Sequence, residues 1–302
     1  LSTLIFPLFA LDLVSSLTLN VGVIMVHNNS YVGYETSASA ILIAQDRIRS
    51  EGVLPGIDFN FIIRFDECRE GDAAGNTIEL VMQYNVSAII GPSCNLPSVT
   101  VGALANYYDV PFFPWGLAST RSLEEEDRFP TAGTLAPGSY ALGVAIRRLM
   151  LQFGWSEFAF IYSTVGDTEK CDTMVEDVEE SISDFDDDLA VISFIYEFDE
   201  GDWSIDSLKE QMIEIRYRAR IFAVCLSDER GLKRDFMLAL MDVGMLTDEY
   251  LYIFADTRSR GFVTTTDGIT RDIWEDVDIP IDGRDEDARV AFRSAFVLTD
   301  VV

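Results

Sequence analysis

The residues able to do chemistry are four cysteines, one histidine, and hydroxyl and amide side chains that directly follow apolar runs. Cys68 follows the run Phe59 to Phe65, and Cys94 closes Gly91-Pro92-Ser93-Cys94 after the run Val86 to Ile90. Cys171 follows Phe158 to Tyr162, and Cys225 ends Arg220 to Val224. The cysteines thus fall into one local pair per half of the chain, each pair beside strand ends of one sheet. An even number placed this way suggests disulfides and an oxidising compartment. Four cysteines still allow three pairings, and buried reduced thiols would fit the same spacing.

His27 is the single histidine, so Ser-His-Asp or Cys-His catalysis has no other base to use; it reads as a solvent-facing turn residue after the first strand. There is no GxSxG, no P-loop and no HExxH, and the turn from His27 to Gly33 lacks the dinucleotide fingerprint. With the cysteines in disulfides, zinc has too few ligands. No catalytic residue, no metal ligand and no reaction is assigned.

What remains is binding. In open parallel sheets, ligands collect at the carboxyl ends of strands, where helix N-termini offer free N–H groups. Gly91-Pro92-Ser93-Cys94-Asn95 joins a strand to a helical segment ending near Tyr107, and Gly116-Leu117-Ala118-Ser119-Thr120 follows the next strand. Ser93, Asn95, Ser119 and Thr120 are therefore the candidate ligand residues, suited to a carboxylate, a small anion or a peptide backbone. The same residue types also cap helices and turns.

The elements that must position these residues alternate. Apolar runs at Leu19 to Val26, Phe59 to Phe65, Val86 to Ile90, Val110 to Trp115, Phe158 to Tyr162, Val191 to Tyr196, Ile221 to Leu226 and Tyr250 to Ala255 are separated by helical stretches. That pattern predicts parallel sheets with crossover helices. Ala38, Ile41, Leu42 and Ile48 predict one buried helix face, with Asp46, Arg47 and Arg49 turned away. Leu142, Ile146, Leu149, Met150 and Phe153 predict another, with Pro137 in its first turn and Gly154 as its cap. A third runs from Leu232 through Phe236, Ala239, Leu240 and Val243 to Gly244.

The polar stretch Gly116 to Ser139 reads as a crossing between lobes. The expected architecture is α/β: two doubly wound parallel-sheet lobes with a cleft between them, lobe 1 over 17–136 and lobe 2 over 137–302. Thr257 to Asp287 reads as a long, partly irregular insertion. A short helix, Glu286 to Ser294, then leads into a last strand within Ala295 to Val302, so the second lobe is expected to be incomplete.

Leu4 to Leu11 is an apolar block ending at Ser15 and Ser16, which reads as a partial secretory signal over 1–16. Asn28 (Asn28-Asn29-Ser30) and Asn85 (Asn85-Val86-Ser87) are glycosylation acceptors in a secreted chain. No other segment approaches the roughly 20 apolar residues of a membrane helix, so any anchor is expected outside this chain. The formal charge of -29, from 51 acidic and 22 basic residues, excludes nucleic acid as a partner, because that affinity comes from cationic side chains. Acidic clusters at Glu124 to Asp127, Asp184 to Asp188 and Asp272 to Asp287 lack EF-hand spacing and read as solvated surface rather than calcium sites.

The segments Ala88-Ile89-Ile90-Gly91-Pro92-Ser93-Cys94, Phe153-Gly154-Trp155, Cys171 and Arg220-Ile221-Phe222-Ala223-Val224-Cys225 occur in this order. They are followed by Arg234 to Gly244, Tyr250 to Phe254, Trp274 and Ala288 to Thr299. In them the chain resembles the extracellular ligand-binding region of receptor guanylyl cyclases and natriuretic peptide receptors, within the type I periplasmic-binding-protein superfamily. The acidic character is closer to the nematode receptor cyclases than to the vertebrate hormone receptors.

The resemblance implies a homodimeric ectodomain on the extracellular side of the plasma membrane. It would bind a peptide or small molecule and relay the event to an intracellular cyclase. It implies disulfides Cys68–Cys94 and Cys171–Cys225, a chloride ion near Ser93 and Cys94 as the one bound accessory ion, and no enzymatic activity in this stretch. Two other readings stay open: a free or glutamate-receptor-like small-molecule binder, and a secreted carboxylate-dependent hydrolase.

Overall fold

The computed structural model describes residues 17–299, apart from 30–31, 165–169, 186–188, 199–202, 228–230, 258–260, 267–268 and 277–280. The segment 1–16, read above as a signal, lies outside the described residues. The elements, in chain order, are β1 (Leu17–Met25), α1 (Tyr34–Ser37), α2 (Ser39–Glu51), β2 (Ile57–Phe65), α3 (Glu70–Tyr84), β3 (Ala88–Ile90), α4 (Asn95–Tyr108) and β4 (Phe112–Phe113). They continue with α5 (Tyr140–Phe153), β5 (Glu157–Tyr162), α6 (Lys170–Ser183), β6 (Val191–Glu197), α7 (Ile205–Ile215), β7 (Ile221–Cys225), α8 (Leu232–Asp242) and β8 (Leu251–Ala255). Last come β9 (Val263–Thr266), β10 (Ile269–Asp272), α9 (Asp285–Ala291) and β11 (Ala295–Leu298).

Two parallel sheets organise the chain, with strand orders β2-β1-β3-β4 and β11-β8-β7-β5-β6. In the second sheet, alternate side chains feed two separate cores, as the two-residue period of a strand requires. Phe158 and Phe160 of β5, Ala223 and Cys225 of β7 and Ile253 of β8 enter the core under α5 and α6. Ala159, Ile161, Phe222, Val224, Tyr252 and Phe254 enter the opposite core under α7 and α8. In the first sheet, Ile24, Ile89 and Phe112 pack with Ala73 and Leu80 of α3 and Val101 and Ala105 of α4.

Helix ends follow local chemistry. Gly154 caps α5 at φ 69°, a left-handed conformation that a side chain would strain.

Three details differ from expectation. The half-buried line of α2 is Ala38, Ile41, Gln45 and Ile48, while Leu42 turns outward at 60% exposure, because the helical period sets it at the edge of the arc those four share. Pro137 precedes α5 rather than lying in its first turn; Ser139 is the residue that flanks the helix. Within the stretch after β8, read as partly irregular, β9 and β10 form an antiparallel hairpin, unexpected from the sequence, outside the two main sheets.

Candidate functional site

Both sheets present their carboxyl ends to loops that carry buried polar groups. In the first, β3 runs into Gly91, whose φ is 91° and whose missing Cβ leaves room for the Ile24 carbonyl. Two loops are stitched together there: Trp115 N donates to Pro92 O at 3.3 Å, and Leu117 N to Ser93 O at 2.8 Å. Gly116, at φ 70°, lies against Val32 and Ser93, where any side chain would collide.

The four expected ligand residues are buried together at this edge and meet different fates. Asn95 Oδ1 accepts from Ser119 N at 2.8 Å and Thr120 N at 3.0 Å, tying α4 to the second loop. Thr120 Oγ1 accepts from Ser122 N at 3.3 Å, capping the short 3₁₀ turn Arg121–Glu124. Ser119 contributes its carbonyl, which accepts from Ser139 N at 2.9 Å and Ser139 Oγ at 3.1 Å. Ser93 Oγ and Asn95 Nδ2 are buried without a protein hydrogen-bond partner, as are Trp115 Nε1 and one oxygen of Asp66. Buried polar atoms are nearly always paired, so these orphans mark where a bound group would find partners. Asp66 directly follows β2, and burial pushes its carboxyl up to about 6 despite the Cys68 N–H on its other oxygen.

The same loop reaches the second sheet. Arg121 N donates to both Asp177 oxygens of α6, at 3.1 and 3.3 Å, and Ser139 Oγ makes a very short contact to Asp177 Oδ2. Asp177 is 5% exposed. Burial pushes its carboxyl up to about 6, opposed by the hydrogen bonds from Ser139 and Arg121 N and reinforced by Glu180 and Glu124. The Arg121 guanidinium is engaged elsewhere: it bonds Glu180 at 3.1 Å and lies 3.8 Å over the Tyr140 ring. A continuous hydrogen-bonded path therefore runs from Asn95, through residues 119–121, to a helix of the other lobe.

The second sheet's edge is charged. Asp256, just after β8, receives Lys170 Nζ at 2.5 Å and Lys233 Nζ at 3.4 Å. Its burial favours the neutral acid, but the two ammonium groups prevail and hold it below the usual carboxylate range.

The disulfides flank these edges. Cys68, two residues after Asp66, joins Cys94 at the start of α4, with Cα atoms 5.5 Å apart. Cys225 faces the α5/α6 core, and Cys171 in the first turn of α6 meets it at 5.6 Å. His27 is exposed after β1 and packs edge-on against Phe65 at 4.9 Å. Among the described residues no cluster of His, Cys, Asp and Glu is arranged to hold a metal, and no helix is long and apolar enough to cross a membrane.

Sequence reasoning missed Asp66, Asp177, Arg121, Ser139 and Asp256. Asp66 and Asp256 carried a signal, an acid placed directly after an apolar strand run. Asp177 and Arg121 carried none, being 56 residues apart and joined only by the fold.

Two parallel-sheet lobes bridged by a short joint, with polar loops at the strand ends, define a two-lobed α/β binding protein. The family model "Receptor family ligand binding region" matches residues 36–294, and the chain belongs to that family. It is similar to the receptor-type guanylate cyclase gcy-20 of Caenorhabditis elegans, 43% identical over 248 residues, or 82% of this chain and 22% of the relative. It is also similar to gcy-7 of the same organism, 39% identical over 272 residues, or 90% of this chain and 24% of the relative. The chain spans about a quarter or less of these relatives.

Proposed function

We propose that this chain is the extracellular ligand-binding region of a receptor-type guanylyl cyclase at the plasma membrane, regulating cGMP synthesis by domains beyond it. The observation that carries the reading is similarity to two such cyclases over 82% and 90% of the chain. The two disulfides and the exposed Asn28 and Asn85, as glycan acceptors, support an extracellular setting. The ligand, a peptide or small molecule, meets Ser93 and Asn95 at the lobe 1 strand ends, while Ser119 and Thr120 build that wall through their backbone. Chloride suits the same place: Ser93 Oγ, beside Cys94, is a buried hydroxyl with no protein acceptor, and Trp115 Nε1 is a second orphaned donor.

The test joins this region, carrying an N-terminal epitope, to the membrane span and cyclase domain of gcy-20. The epitope is expected on intact cells, with cGMP rising under some member of a panel of peptides and small ions. An epitope reached only after permeabilisation sinks the proposal. For the isolated region, chloride should raise the melting temperature, and Ser93→Ala should weaken that chloride affinity about tenfold, the value of one charge-assisted hydrogen bond. Secretion should be unchanged.

Homodimerisation through α3 is part of the same reading. Gly71, Gly75, Ile78 and Met82 follow one another at helical spacing on its exposed side, and nothing lies within 4 Å of where a Cβ would stand on either glycine. Small residues beside exposed apolar ones allow a second helix to approach closely. Gly75→Glu should halve the sedimenting mass without lowering the melting temperature; an unchanged mass moves the contact elsewhere.

A further inference from the structure

At the joint between the lobes, one hydroxyl faces one more acceptor than it has protons. Ser139 Oγ carries a single hydrogen, yet it faces both the Ser119 carbonyl, at 3.1 Å, and Asp177 Oδ2. With Asp177 ionised, only one of these two contacts is a hydrogen bond, and the other sets two oxygens against each other. A proton on Asp177 completes both: Ser139 donates to Ser119, and the carboxyl donates to Ser139. The second carboxyl oxygen still accepts from Arg121 N.

Among the described residues, no Lys, Arg or His side chain forms an ion pair with the ionised carboxyl; its cationic neighbour Arg121 is paired elsewhere. Glu124 of the crossing segment and Glu180 of α6 act on the carboxyl, both with the sign that disfavours its ionisation, while Arg121 and, from α5, Tyr140 bond to Glu180 and to Asp184 just after that helix. The Arg121 guanidinium is bound to Glu180 and Glu124, at 3.1 and 3.5 Å. Tyr140 Oη donates to Asp184 at 2.7 Å. The surroundings of Asp177 are thus buried and negative.

We propose that Asp177 is a proton-loaded pin of the inter-lobe joint: protonated, it fixes the lobes in the arrangement described here, and ionised, it loosens them. The inference does not depend on what ligand the lobes bind. The direction follows from linkage. The docked carboxyl titrates near 6 and a solvated Asp near 3.8, so docking is fully supported below about 4 and loses that support as pH rises through 6. Across that range the docking equilibrium changes by at most about a hundredfold.

Spin labels on Tyr107→Cys in α4 and Tyr217→Cys after α7, exposed at 81% and 71%, report the spread of lobe distances in the whole chain. A single narrow distance is expected at pH 5 and a broadened distribution at pH 8. Asp177→Asn, whose amide supplies the missing proton permanently, should stay narrow at both. An unmutated joint equally narrow at pH 5 and pH 8 overturns the proposal, as does a pH response surviving in Asp177→Asn. Should that variant fail to fold, Glu180→Gln provides an independent reading. Removing this neighbouring charge should lower the midpoint of the pH transition, and a midpoint that stays in place overturns the proposal.

Discussion

Asp66 is wholly buried where β2 ends, with one carboxyl oxygen on Cys68 N and the other on no protein group. Burial raises it to about 6, so its contribution to stability is complete below the ordinary Asp range and is lost as pH rises through 6. Asp66→Asn should therefore match the parent at pH 4 and exceed it by about 2–3 kcal/mol at pH 8, the size of a two-unit shift. Denaturant midpoints at the two pH values check this; a constant difference between parent and variant refutes it. Asp66 was readable only as an acid after a strand. Ser93 and Asn95 stood out earlier because a Gly-Pro turn followed by a hydroxyl and an amide announces a helix start. The sequence did not disclose that the Asn95 oxygen would hold two amides of another loop while its nitrogen stayed without a partner.

Helices α5 and α6 pack so closely that a Cβ on Gly143 would collide with Ser181 and with the Val178 backbone. Gly143→Ala adds helix propensity but forces the pair apart, and overpacking of this kind costs about 1–3 kcal/mol. A lower melting temperature with unchanged helical circular dichroism is expected; a stabilised variant shows that the helices slide freely. Parallel strands buried on both faces were legible because their apolar runs are unbroken, as at Phe158 to Tyr162. The run Val110 to Trp115 contracted to Phe112–Phe113, since Pro111 and Pro114 cannot donate to a ladder. The β9–β10 hairpin stayed hidden in a polar stretch, although Val263-Thr264-Thr265-Thr266 is β-branched throughout.

On the scale of the molecule, each disulfide is internal to one lobe, closing separations of 26 and 54 residues. Chain-entropy arithmetic gives about 4 kcal/mol for the longer, so Cys171→Ser with Cys225→Ser should lower unfolding stability by about that amount. An unaltered denaturation midpoint would show that the hydrophobic packing of α6 suffices alone. The first bridge also lies wholly upstream of the third cysteine: Cys94 and Cys171 are 171 − 94 = 77 residues apart. At the usual pace of about 5–20 residues per second, the ribosome needs about 4–15 s to make that interval. Lobe 1 thus has time to oxidise Cys68 and Cys94 while no competing thiol yet exists. Of the three pairings open to four cysteines, the order of synthesis favours the one that the folded molecule contains.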